Sequence, residues 1–250
     1  MNGKAEGGRL YERVSRDIAE AIAAGHYEIG QRLPAERNLA LHYAVSRPTV
    51  REAIIALELD GLVEVRIGSG VYVVACQPRG GKAAPTDVGP FELTEARRAI
   101  ESETCALAAQ RISQETLDDL AGVVAEMQAE NERDVVMSED ADRRFHLLVA
   151  GASENSALVA AVRMLWDTRA RSPQYQLLAA KAHAAGVRPR IEEHAVILEA
   201  LRTGDPDRAR AAMQDHMNHV LESLFEATEV HEMEQARARV AEQRARYSGG

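Results

Sequence analysis

The chain is poor in the residues that mark several protein classes. Its 250 residues contain two cysteines, Cys76 and Cys105, too few and too isolated for a disulfide framework or a paired-cysteine metal site. No apolar run approaches the roughly 18 residues that a membrane span requires. The first residues, MNGKAEGGRLYERV, have neither the apolar core nor the small-residue cleavage site of a secretory signal, which predicts a cytoplasmic protein without membrane partners. Aromatics make up only 4%, whereas 46% of residues are hydrophobic and 28% charged, a composition that favours helices around a true core.

The net charge of −9 argues against a general polyanion binder, but its distribution is uneven. Residues 1–75 carry nine Lys/Arg against ten Asp/Glu, while the rest carry 21 against 29. Between Arg32 and Arg51 lie Arg32, Arg37, Arg47 and Arg51 with Glu36 as the single acid. A local basic stripe on a near-neutral segment suits a sequence-specific DNA reader.

Leu10, Val14, Ile18 and Ile22 recur every four positions and predict an amphipathic helix ended by Gly25. Pro34 opens a short second helix. Ser46 is an N-cap and Pro48 sits in the first turn of a third helix that runs to about Asp60, with Val50, Ile54 and Leu57 inward. After Gly61, LVEVR and VYVV flank IGSG as a hairpin. Three helices and a hairpin make a winged helix-turn-helix over residues 1–75. Residues 76–89, with two prolines and three glycines, read as a linker. Beyond it, seven helical stretches near 90–112, 114–132, 135–152, 155–170, 174–184, 187–203 and 205–228 predict an antiparallel bundle. Residues 229–250 read as a charged exposed helix or frayed tail.

In the third helix, Arg47 and Arg51 lie four apart on one face, so both are expected to point outward. An arginine there can grip guanine O6 and N7, while the Ser46 and Thr49 hydroxyls suit phosphate. In the bundle, Asp142 and His146 of EDADRRFHLLV share one side of a helical turn. His194 falls in phase with Ile191, Leu198 and Leu201, and His216 with Met213 and Val220, so both are expected to face inward. Three histidines and an aspartate can hold a divalent ion, zinc first and nickel or manganese next. Spacing alone does not choose His216 over His219 or exclude His183.

The run RLPAERNLALHYAVSRPTVREAIIALELDGLVEVRIGSGVYV resembles the DNA-binding domain of the GntR transcription regulators. The resemblance implies DNA contacts from Arg37, Ser46, Arg47, Thr49, Arg51 and Gly68; Pro48 stands where some relatives carry threonine. GPFELTEARRAIESETCALAA, DADRRFH, GASENSAL, EEHAVILEAL and GDPDRARAAMQDHMNHV resemble the helical effector domain of the FadR subfamily, the FCD domain. That likeness implies metal ligation by Asp142, His146, His194 and His216, and excludes acyl-CoA as effector. It makes Arg97, in R-x-x-x-E with Glu101, a candidate for an effector carboxylate, against the plainer reading as an ion pair within its helix. Asn155 is a helix N-cap or a ligand contact. VGPFELTEARRAIES and GLVEVRIGSGVYV are most similar to the hexuronate-utilisation repressors of this subfamily.

The expectation is therefore a homodimeric repressor on a palindromic operator, with residues 90–228 binding metal, dimerising and sensing a small carboxylate or sugar acid. The alternative is a metal-dependent enzyme acting on a sugar acid and fused to a DNA-binding domain, for which no HExxH and no Ser/His/Asp or Cys/His arrangement speaks. A third reading is a purely structural metal.

Overall fold

The computed structural model describes the backbone of residues 10–66, 69–78, 88–132, 139–184 and 190–247. The chain divides into two compact units, residues 90–225 and residues 1–89 together with 226–250.

In the first unit, α1 (Leu10–Ala23) packs on α3 (Arg47–Leu59), and α2 (Glu36–Tyr43) also lies against α3. Val14, Ile18 and Ile22 are fully buried as the four-residue spacing requires, but Leu10 is exposed and Tyr11 takes its place in the core. The α2–α3 turn is made by Ala44, whose left-handed backbone (φ 52°) lets its N–H reach the carbonyls of Ala40 and Leu41. Ser46 then caps α3: its Oγ accepts from Thr49 N at 3.2 Å, and Pro48 sits in the first turn, where no backbone donor is needed. Val50, Ile54 and Leu57 of α3 close the core with Leu33, Leu39, Leu62 and Val73.

The hairpin β1 (Val63–Arg66) and β2 (Gly70–Val73) is antiparallel, with Val63 opposite Val73 and Arg66 opposite Gly70. The segment before α2 adds to it, which the sequence does not announce. Leu33 N donates to Val71 O and Gly30 N to Val73 O, both at 2.8 Å, and Val73 N returns to Gln31 O at 3.0 Å. The wing therefore has a third, short strand-like edge that ties the α1–α2 connection to β2. Gly68, expected at the wing tip, lies outside the described residues, as do residues 79–87 of the expected linker.

The described residues of the second unit form helices joined by short turns: α4 (Pro90–Ala109), α5 (Gln114–Glu132), α6 (Glu139–Ala152), α7 (Ser156–Arg171), α8 (Pro173–Ala184), α9 (Glu192–Arg202) and, as far as Phe225, α10 (Pro206–Tyr247). α10 runs unbroken through the stretch read as a charged tail. α6 touches α4, α5 and α7, and α9 touches α4 and α5. The main core joins Leu120, Met127, Phe145, Val149, Ile197, Leu201, Met213 and Met217. Because α6 packs against three helices, its inward face meets side chains from several neighbours.

Candidate DNA-reading surface and candidate metal centre

At the start of α3 the structure separates two arginines that the sequence placed together. Arg47 is exposed, with Nη2 3.6 Å from Glu36 Oε2. Arg51 is 4% exposed, and its Nε donates to Glu36 Oε2 at 2.9 Å. This corrects the expectation of two outward guanidiniums, since α2 covers the helix face that carries Arg51 and supplies its acid. Ser46 and Thr49 are also engaged locally, their hydroxyls 2.8 Å apart. Arg37, on the first turn of α2, is exposed. The side chains presented outward here are therefore Arg37 and Arg47.

In the second unit, α6 presents Asp142 and His146, α9 presents His194 and α10 presents His216. All four are buried, and one potential ligand atom from each lies within 4.8 Å of the others. Asp142 Oδ1 is the pivot, 3.1 Å from His194 Nε2 and 3.4 Å from His146 Nε2. Ligands each about 2.0–2.1 Å from one ion stand about 3 Å apart, so these separations suit a small divalent cation. Phe145 packs edge-on against His194, at 4.9 Å between ring centroids, and closes the apolar side.

The remaining faces of these ligands are braced by charged groups that spacing did not reveal. His146 Nδ1 lies 2.5 Å from Glu101 Oε2, and Glu101 Oε1 accepts from Arg97 Nε at 2.7 Å. His216 Nδ1 meets Glu193 Oε2 at 2.9 Å, and the other oxygen of Glu193 is 2.7 Å from His219 Nδ1. Carboxylates in such positions fix the imidazole ring and its tautomer, leaving the opposite nitrogen to the ion. His219 is thus a partner of Glu193 and stands outside the cluster. The His183 side chain lies outside the described residues. Asp142 Oδ2 accepts from Arg169 Nη1 at 2.9 Å.

These contacts set the charges. Burial pushes the His216 imidazole down to about 4, only partly offset by Glu193, so it is neutral and ready to donate at neutral pH. Burial also disfavours charge on His146, but Glu101 and Asp142 outweigh it and raise its pKa above the ordinary 6.5. For Asp142, burial is outweighed by its bonds to His146 and His194 and by Arg169, which hold it well below the usual carboxylate range. Glu101 resists burial in the same way, through Arg97 and His146, at about 2. Burial, aided by the Glu101 charge, pushes the Cys105 thiol up to about 12, so it offers no thiolate to the centre.

Arg97 makes the ion pair within its helix that the plainer reading expects. It is 1% exposed and paired with Glu101, its guanidinium lies 4.0 Å from the Trp166 ring centroid, and its Nη1 has no hydrogen-bond partner among the described groups. A buried guanidinium with a spare donor beside the cluster can meet a ligand carboxylate. Asn155 is the exposed N-cap of α7, its amide oxygen accepting from Ala157 N and Leu158 N. It stands eleven residues before Trp166, about 16 Å along the helix. The structure shows Asn155 in the N-cap role that its sequence position offers. Glu193, Arg169 and Trp166 went unnoticed in the sequence; the pairing of Glu193 with the next residue, His194, was the one local hint.

Comparison with known proteins completes the picture. Residues 10–73 match the family described as bacterial regulatory proteins, gntR family, and residues 92–219 match the FCD domain. The chain is 40% identical over 225 residues to the Exu regulon transcriptional regulator of Escherichia coli K12, covering 88% of this chain and 86% of that one. It is 35% identical over 228 residues to the Uxu operon regulator of Haemophilus influenzae, covering 89% and 84%. The solved structure of E. coli McbR/YncC aligns over 88% of this chain and 98% of its own, at 24% identity and a TM-score of 0.49. With a gntR-type winged domain, an FCD domain and regulators as full-length relatives, the chain belongs to the gntR family of bacterial regulatory proteins and is a DNA-binding transcription regulator.

Proposed function

We propose that this chain is a cytoplasmic, homodimeric repressor of hexuronate-utilisation genes, released from a palindromic operator when a sugar acid binds beside a divalent ion in the FCD domain. The observation that carries the reading is the buried convergence of Asp142, His146, His194 and His216 next to the spare donor of Arg97. Three imidazoles and one carboxylate suit zinc, with nickel or manganese as further candidates. Bound there, the ion would supply a double positive charge that attracts an effector carboxylate. Arg97 would orient the same group, while the apolar packing of Phe145 and Trp166 excludes water and strengthens both attractions. The names of the Exu and Uxu relatives support a hexuronate-related acid over other carboxylates.

The test is a thermal-shift screen of zinc-loaded protein against fructuronate, tagaturonate, galacturonate, glucuronate, citrate and lactate. One hexuronate should raise the unfolding temperature, since a ligand at a hundred times its Kd stabilises by about 2.7 kcal/mol. No shift with any of these acids would remove the sugar-acid reading.

For DNA, Arg37 and Arg47 are assigned the outward contacts. Arg47→Ala should cost about 1–3 kcal/mol of specific operator affinity without altering thermal stability. Arg51→Ala should instead lower stability by about 1–3 kcal/mol, because it removes the buried guanidinium that donates to the partly buried Glu36 carboxylate at 2.9 Å. Gel-shift titration and thermal unfolding of both variants separate the two roles. Unchanged stability in Arg51→Ala with lost affinity would return Arg51 to the DNA surface.

A further inference from the structure

We propose that Arg169 keeps Asp142 a one-oxygen ligand and thereby holds the metal centre open for a chelating effector. The inference rests on the functional reading above and deepens it. The two oxygens of Asp142 have different surroundings. Oδ1 faces His194 Nε2 at 3.1 Å and His146 Nε2 at 3.4 Å, which puts it among the ligand atoms. Oδ2 is held at 2.9 Å by Arg169 Nη1.

The guanidinium is not free to swing away. It lies 4.6 Å from the ring centroid of Trp166 and 4.7 Å from that of Tyr175, and both rings are buried. Two cation–π contacts and one charged hydrogen bond therefore fix the planar fork of Arg169 against Oδ2. A lysine at this position would keep the charged hydrogen bond to the same oxygen, which is the contact that holds Oδ2 away from the ion.

The consequence follows from counting donors. A carboxylate can give a divalent cation one oxygen or two. With three imidazoles and Oδ1 alone, a six-coordinate ion has room for two further oxygens, enough for a carboxylate and the adjacent hydroxyl or carbonyl of a sugar acid. If Oδ2 also turned to the ion, one of those positions would close and a chelating acid would bind by one oxygen only. Arg169 is thus a positioning residue that acts through Asp142, and the effector class it favours is the 2-hydroxy or 2-oxo acid over a simple carboxylate.

The test uses the full chain loaded with cobalt(II), whose visible spectrum reports the number and type of ligands. Wild type and Arg169→Gln are compared first without acid, then titrated with galacturonate, glucuronate, fructuronate and tagaturonate, and with acetate as the simple carboxylate. Arg169→Gln is expected to keep one cobalt per chain, to show an altered spectrum before any acid is added, and to bind the responsive hexuronate roughly tenfold to a hundredfold more weakly. Acetate affinity should change much less. Arg169→Lys should restore the acid-free spectrum of wild type, and it carries the test if Arg169→Gln does not fold; a spectrum unlike wild type in that variant overturns the proposal. So does an acid-free spectrum of Arg169→Gln identical to wild type, whether or not acid binding is lost, and so does loss of cobalt. If no acid changes the wild-type spectrum, the effector reading fails instead, while the acid-free comparison still decides the role of Arg169.

Discussion

Replacing His194 or His216 by alanine is expected to abolish stoichiometric metal binding, whereas His219→Ala should leave it. Each of the first two supplies one of four converging donors. Sharing the about 10–16 kcal/mol of a structural zinc site among four ligands gives about 2.5–4 kcal/mol per ligand, a loss of roughly 70-fold to 900-fold. His219 reaches the centre only through Glu193, so its removal should cost at most a few-fold. Elemental analysis of the three purified variants reads this directly. Metal kept after His216→Ala and lost after His219→Ala would exchange the two roles.

The same site gives a pH dependence with a definite sign. Without metal, His146 holds its proton to a pH above the ordinary 6.5, because Glu101 and Asp142 outweigh burial. Metal must displace that proton, so affinity should fall on acidification from above 6.5 downward, before an unperturbed histidine would respond. His216, already neutral down to about 4, adds nothing to the slope in that range.

Much of this architecture can be read along the chain where the determinants are local. The Ser46 cap with Pro48 in the first turn, the inward phase of Val50, Ile54 and Leu57, and the pairing of Asp142 with His146 all depend on contacts within one or two helical turns. What failed depends on a neighbour that spacing does not show. A helical wheel puts Arg47 and Arg51 on one face, but α2 and Glu36 cover half of that face and bury Arg51. The strand-like edge at 30–33 has no alternation of its own and exists because β2 offers it backbone partners. Spacing also left His216 and His219 open, three residues apart on one helix. The structure separates them by depth, since His216 is buried and His219 is 38% exposed. The braces Glu101, Glu193 and Arg169 come from three different helices, so only the folded bundle brings them to the ligands.

Operator release by a sugar acid should disappear in an Asp142→Ala/His146→Ala double variant that still binds operator. In wild type, an effector that prefers the DNA-incompetent arrangement shifts the population toward it, with a typical coupling of about 1–3 kcal/mol, or roughly 5–150-fold in operator affinity. The double change removes two of the four donors and leaves the reading side chains Arg37 and Arg47 untouched, since these lie in the other unit. It also removes one charged partner each from Glu101 and Arg169, so folding of the variant must first be confirmed by circular dichroism. Operator affinity is then measured with and without the acid that stabilises wild type. Wild type should lose affinity on adding the acid, and the double variant should bind operator equally with or without it. If the acid releases both proteins equally, the metal is structural and the effector site lies elsewhere, because no ligand can shift an equilibrium through a site that no longer binds it.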